Sequence, residues 1–209
     1  MPVPLPLLGE PARERSDAAR NREALLCAAR RMVEASGVEA VTMDALAEEA
    51  GVGKGTVFRR FESRAGLMAA LVNDFEIDWQ EAVLSGPPPL GPGAPPMDRL
   101  RAMGRSRMEL NLTHAQLMEA AGWELTQGSA AHSFIAMHTR HLLGELGVRG
   151  DLQVLGTALI APLAAAVLEQ QIEIEGLDLD RIHAGWTDVV ERVVEERDRP
   201  IRSRLASFE

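Results

Sequence analysis

Cysteine, lysine and aromatic residues are nearly missing from this chain, which has one Cys, one Lys and an aromatic fraction of 4% in 209 residues. The lone Cys27 excludes an intrachain disulfide, and its place in an apolar helical stretch points to packing rather than reactivity. Scarce aromatics beside abundant Ala, Leu, Glu and Arg predict an all-α chain. No apolar run is long enough to cross a bilayer, because the longest, Val154 to Leu168, is short and contains Pro162. Met1 to Leu8 carries prolines but no basic residue, so the expectation is a cytoplasmic protein without a signal peptide or a membrane partner. Catalytic signatures are missing too. There is no nucleophile elbow, no zinc-peptidase motif and no histidine matched to Cys27 or a particular serine, so neither an enzyme nor a cofactor is expected.

What is present is acidic, with a formal net charge of −9, but unevenly so. From Arg13 to Arg64 ten basic residues face nine acidic ones, while the remainder holds 12 basic and 22 acidic. Within the near-neutral part most acids precede Gly51, and Lys54, Arg59, Arg60 and Arg64 follow it. A local basic face on an acidic body can orient a protein on DNA while limiting non-specific binding.

Thr42 to Phe61 explains that arrangement. Met43, Leu46, Ala47 and Ala50 fall at i, i+3, i+4 and i+7, which is one apolar stripe on a short helix. Thr42 is a good N-cap, Asp44 suits the positively polarised first turn, and Gly51 supplies the positive φ of a tight exit. After Val52, Gly53 opens a second helix with Val57 and Phe61 turned inward and Lys54, Thr56, Arg59 and Arg60 turned outward. Cations and a hydroxyl on one exposed face suit phosphate and base-edge contacts, and Gly55 lets the backbone approach a groove.

This stretch resembles the DNA-binding half of TetR-family transcriptional repressors. Arg22 to Gly37, with Leu25, Ala28, Ala29 and Met32 facing inward, resembles the family's first helix, and Phe61 to Leu67 the entry to its fourth. Three positions depart from the pattern. Phe58 stands where the family usually has tyrosine, which removes a hydroxyl from the phosphate side, Arg60 where it often has histidine, and Arg64 where it often has lysine. Arg64, at a helix start near the phosphates, is expected to grip them with paired hydrogen bonds. The expected DNA contacts are therefore Lys54, Gly55, Thr56, Phe58 and Arg59, with Arg60, Arg64, Arg22 and Thr42 around them.

Gly51-Val52-Gly53-Lys54-Gly55-Thr56 also looks like the end of a phosphate-cradling loop, which would make the chain a nucleotide-binding enzyme. That loop needs a glycine where Glu48 stands beside Glu49, and a preceding β-strand where the spacing is helical.

The organisation expected is an N-terminal helix-turn-helix, three-helix DNA-binding domain at residues 16–62, followed by a larger helical ligand-binding and dimerisation domain at 63–198. A flexible arm, 1–15, and a tail, 199–209, flank them. A helix from Ser63 to Leu84 is broken by the Pro/Gly-rich segment Ser85 to Met97, after which helical patterns resume at about 98–111, 113–125, 130–146, 152–174 and 179–197. Thr113 with Gln116 reads as a capping box, Asp151 and Asp178 as N-caps, and Gly147 and Gly176 as exits. The last two helices form the expected dimer interface, resembling the family's own, through Leu155, Leu159, Leu163 and Val167 on one and Ile182, Trp186, Val189 and Val193 on the other.

The resemblance also implies an inducer pocket in the middle helices. Met103, His114, Met118 and Trp123, with Phe134, Met137, His138 and His141, are the expected lining for a small apolar or aromatic molecule. His132 lies among them. His138 and His141 stand one helical turn apart, but no further ligand at a recognised spacing joins them, so no metal is expected. The function expected is a ligand-responsive regulator, more specifically a repressor, released from a palindromic double-stranded operator by its inducer. The alternative is a ligand-independent DNA-binding protein.

Overall fold

The computed structural model describes residues 11–122 and 130–195. Among them every regular element is helical. In chain order these are α1 (Pro11–Ser36), α2 (Met43–Glu49), α3 (Lys54–Phe61), α4 (Arg64–Ser85), α5 (Pro96–Thr113), α6 (Ala115–Ala120), α7 (Ala130–Glu145), α8 (Leu152–Ile160), α9 (Ala165–Glu169) and α10 (Leu179–Glu195). The chain divides into two compact units, Met1–Phe75 with Gln116–Glu124, and Glu76–Ala115 with Leu125–Glu209. The boundary expected at residues 62 and 63 falls at the α3 exit, whereas the first unit continues to Phe75. Leu67, Met68, Leu71 and Val72, from the first half of α4, belong to its core.

That core also takes Leu25, Leu26, Ala28 and Ala29 from α1, Leu46 and Ala47 from α2, Val57 and Phe61 from α3, and Leu117 from α6. α1 begins at Pro11, inside the segment expected as an arm, and ends at Gly37, whose φ of 78° only glycine adopts easily. The rest of the arm and the C-terminal tail lie outside the described residues. Cys27 departs from the packing role expected of it. It is exposed, because Leu25, Leu26, Ala28 and Ala29 take the inward side of α1 around it.

The second unit is built on α5, which packs against α7, α9 and α10 and carries the buried Leu100, Met103 and Met108. Gly104 is a notch in α5. A Cβ there would lie 2.2 Å from the Trp186 ring, so the indole occupies the space that a side chain would fill. Residues 152–174, expected as one helix, are interrupted. Pro162 has no N–H to donate to the preceding turn, so α8 gives way to a 3-10 turn at Ala161–Leu163, then α9, then a π-helical turn at Gln170–Ile174. Buried side chains satisfy carbonyls on either side of the break, with Trp186 Nε1 donating to Leu159 O at 2.8 Å and Asn111 Nδ2 to Leu163 O at 2.5 Å.

Caps account for the other ends. Asp151 Oδ1 accepts from the N–H groups of Gln153 and Val154 at 3.0 and 3.1 Å, Asp178 Oδ1 accepts from Arg181 at 2.7 Å, and Gly147 and Gly176 leave their helices at φ 72° and 69°. The Thr113 capping box is not formed. α5 runs through Thr113, the His114 N–H bonds back to Leu110 O at 3.1 Å, and α6 starts afresh at Ala115. Among the described residues no single helix is long and apolar enough to cross a membrane.

Candidate nucleic-acid interface

The α2–α3 pair has the local geometry its residues predict. Thr42 Oγ1 accepts from the Ala45 N–H at 3.1 Å, starting α2, and Gly51 at φ 64° turns the chain out of it. Val52 N–H bonds to Ala47 O at 2.9 Å, closing the turn before Gly53 begins α3. Val57 and Phe61 are buried, while Lys54, Gly55, Phe58, Arg59 and Arg60 are exposed and Thr56 is half-buried. Nothing lies within 4 Å of a Cβ built on Gly55, so the first turn of α3 is open to close approach. Phe58, 47% exposed, offers a bare ring on this outer side. α3 ends through Glu62, the one non-glycine at positive φ among the described residues, whose N–H bonds to Phe58 O at 2.8 Å.

The flanking cations divide by role. Arg22 is half-buried on α1. Arg64 is not turned to solvent as a phosphate grip. Its Nε donates to Val41 O at 3.0 Å and its Nη2 to Val38 O at 2.8 Å, tying the start of α4 to the connection between α1 and α2. Val38 O also accepts from the Val41 N–H at 3.2 Å, so the guanidinium supplies a second donor to that carbonyl. Lys54 Nζ meets Asp44 Oδ2 at 2.6 Å.

Residues 25–71 match the family model described as "Bacterial regulatory proteins, tetR family". Over that stretch the chain is similar to the DNA-binding part of the tetR-family regulatory proteins. Solved structures agree in fold. A TetR-family transcriptional regulator from Pectobacterium atrosepticum superposes with a TM-score of 0.64 at 21% identity, covering 86% of this chain and 94% of its own. A TetR transcriptional regulator from Streptomyces coelicolor gives 0.62 at 21% identity, covering 86% and 99%. Thermus thermophilus FadR, a TetR-family transcriptional repressor solved in complex with lauroyl-CoA, gives 0.55 at 20% identity, covering 90% and 100%. A search of curated proteins finds no match.

The residues expected around a ligand are dispersed over both units. Met103 is fully inside the core, where it faces the Thr139 hydroxyl at 3.8 Å. His114 Nδ1 lies 3.0 Å from Leu110 O, one turn back on its own helix. Met118 packs against the core of the first unit. Trp123, and the side chain of His132, lie outside the described residues. Met137 is exposed, and His141 points outward to Glu145 at 3.7 Å.

Phe134 and His138 are brought together. The two rings stack with centroids 6.0 Å apart, and Trp79 meets Phe134 edge-on at 6.0 Å. Arg99, which sequence reasoning missed, places Nη2 3.4 Å from His138 Nε2 and 3.3 Å from Val83 O. Burial, with the Arg99 cation and then His141 adding to it, lowers the His138 imidazole to about 4, so it is neutral at physiological pH. Also unanticipated is the buried pair of Glu76 and Arg107 at 2.7 Å, with the Arg107 guanidinium 5.2 Å from the Trp79 ring centre. Neither pairing has a spacing signature, since 31 and 39 residues separate the partners. Among the described residues no group of three His, Cys, Asp or Glu side chains is arranged to hold a metal.

The expected dimer residues also divide. Leu159, Leu163, Ile182 and Trp186 are buried in the chain's own core, Leu155 and Val193 are partly buried against it, and Val167 and Val189 are exposed. The inward stripe of α10 is Ile182, Trp186, Val190 and Val194, with the Trp186 ring seated against Gly104. What remains outside is a groove of about 630 Å³ between α8 and α10, with Ala158, Pro162, Ala184, Gly185 and Val189 among its walls. None of the expected ligand residues lines it.

Proposed function

We propose that this protein is a homodimeric repressor that reads a palindromic operator with one α3 per copy and leaves it when a small molecule binds. The observation that carries the reading is the presentation of α3, with Val57 and Phe61 buried beneath it and Lys54, Arg59 and Arg60 exposed around an unobstructed Gly55. In the major groove Lys54, Thr56 and Arg59 would meet base edges or nearby phosphates, while Arg60, Arg22 and Thr42 would meet phosphate. Arg64 acts through structure by holding the start of α4 to Val38 and Val41. Residues 16–62 would then be the DNA reader and 63–198 the part that senses and dimerises, in a cytoplasmic protein without catalytic function.

Bound fragments selected from genomic DNA supply the operator for the test. Arg59→Ala should cost about 1–3 kcal/mol and relax preference at one position, while Arg60→Ala should weaken all sequences alike. If Lys54→Ala and Arg60→Ala both left operator affinity unchanged, the groove assignment would be wrong.

Dimerisation through the α8–α10 face is supported by its small and apolar exposed residues, Ala158, Ala184, Gly185 and Val189, which permit close helix approach. Val189→Glu should yield a monomer in sedimentation, and an unchanged dimer would move the interface elsewhere. An apolar inducer is supported by the half-buried Phe134 ring and the exposed Met137 side chain, and by the acyl ligand of the Thermus structure. Release would come from its differential affinity for two conformations, typically about 1–3 kcal/mol. Fatty acyl and aromatic compounds titrated against the preformed DNA complex test this, and binding without release would favour a ligand-independent DNA binder.

A further inference from the structure

We infer that Asp44 is a latch on the DNA reader, holding the Lys54 ammonium in an intramolecular ion pair that a DNA phosphate must displace. The inference rests on the DNA-binding reading and adds a residue that sets affinity. Lys54 is the first residue of α3 and Asp44 lies in the first turn of α2, and the glycine turn between the helices brings these side chains, ten positions apart, to 2.6 Å. They are 66% and 60% exposed, so no packing confines the ammonium and Asp44 holds it against water with the modest strength of a surface pair. Asp44 is the better fixed of the two, because Thr42 caps its helix and the positive end of the helix dipole favours a carboxylate there.

An exposed lysine approaches phosphate as a compact point charge, and while it is paired with Asp44 that charge is cancelled. On DNA, either Lys54 leaves the carboxylate or the carboxylate is carried toward a phosphate, and both outcomes weaken binding. Because phosphates carry no base identity, the penalty falls equally on every sequence. Asp44 therefore sets overall affinity rather than operator preference. In a chain with net charge −9 and one lysine, the latch silences that lysine until a phosphate is close enough to compete.

Asp44→Asn keeps the size and an acceptor but removes the charge. The full chain and this variant are compared by filter binding to a mixed-sequence duplex across a salt series. The variant should bind about two- to five-fold tighter, the range an exposed ion pair allows. Combined with Lys54→Ala, the substitution should bring no improvement over Lys54→Ala alone. Since Lys54 is the only lysine, reductive methylation with an isotope-labelled methyl donor marks it and the N-terminal amine alone, and its resonance should move on Asp44→Asn in the free protein.

Equal binding by the variant, a tightening that persists without Lys54, or an unmoved resonance would each overturn the latch. Retention of duplex by the unaltered chain together with any of these results leaves the DNA-binding reading intact. No retention at low salt would overturn that reading and the role of the latch with it.

Discussion

The first unit keeps its informative residues outside and its core ordinary, whereas the second hides its unusual residues. In the first, Lys54, Phe58, Arg59 and Arg60 stand in solvent over a core of Leu, Ala, Val, Met and Phe. In the second, Glu76, Arg107, Asn111 and His138 sit among apolar neighbours, each with a particular partner. The difference teaches where each unit is vulnerable. Exposed cations are cheap in stability and matter only when DNA arrives, while a buried polar group costs several kcal/mol if its partner goes.

The contrast is tested most severely at Trp186. Trp186→Ala empties the Gly104 notch and leaves Leu159 O without its donor, so the second unit should lose about 4 kcal/mol in denaturant unfolding. A small loss would mean that Trp186 serves an interface rather than the chain's own core. Next in size, Arg107→Ala strands the Glu76 carboxylate and should cost about 3 kcal/mol in the same assay. The double variant with Glu76→Gln should recover part of that loss, because the stranded charge is then gone.

His138 gives the contrast a pH dependence. Its folded value lies near 4, below the ordinary 6.5, so the unfolded chain binds the proton first as pH falls. Stability should be fully present above about pH 6.5 and decline toward pH 4 by roughly 2–3 kcal/mol, and His138→Asn should flatten that part of the profile. The smallest effect on folding is expected in the first unit, where Arg59→Ala should change stability by less than about 0.5 kcal/mol while weakening DNA binding. A large loss of stability there would erase the distinction between the two units.

The same contrast explains what could be read from residues alone. In α2 and α3 the local rules agree with one another: a capping threonine, an apolar stripe, a glycine at φ 64° and an outward run of cations all point to one geometry. Arg64 escaped because its engagement with Val38 and Val41 depends on carbonyls more than twenty residues away, which no local pattern records. In α10 helical periodicity located the helix, while the residues expected at a dimer seam divide between the chain's own core, which takes Ile182 and Trp186, and the exposed Val189. Val189 and Val190 are equally apolar, and which of them is buried depends on packing against other helices that no local pattern records. The break at residues 161–164 was legible in Pro162, yet the apolar spacing on both sides suggested continuity. The Arg99 and His138 pairing carries no sequence signature, since it exists only once α5 and α7 have packed.

Trp79 and Trp186 lie in the second unit, the chain has no tyrosine, and its first tryptophan comes only after the reading helices have ended. α2 and α3 hold no aromatic ring but the phenylalanines at 58 and 61, so the surface offered to a duplex is dark to light absorbed by indoles. Any change in indole emission when a duplex is added therefore originates beyond the reading helices, and that glow becomes a built-in reporter of news travelling away from the groove.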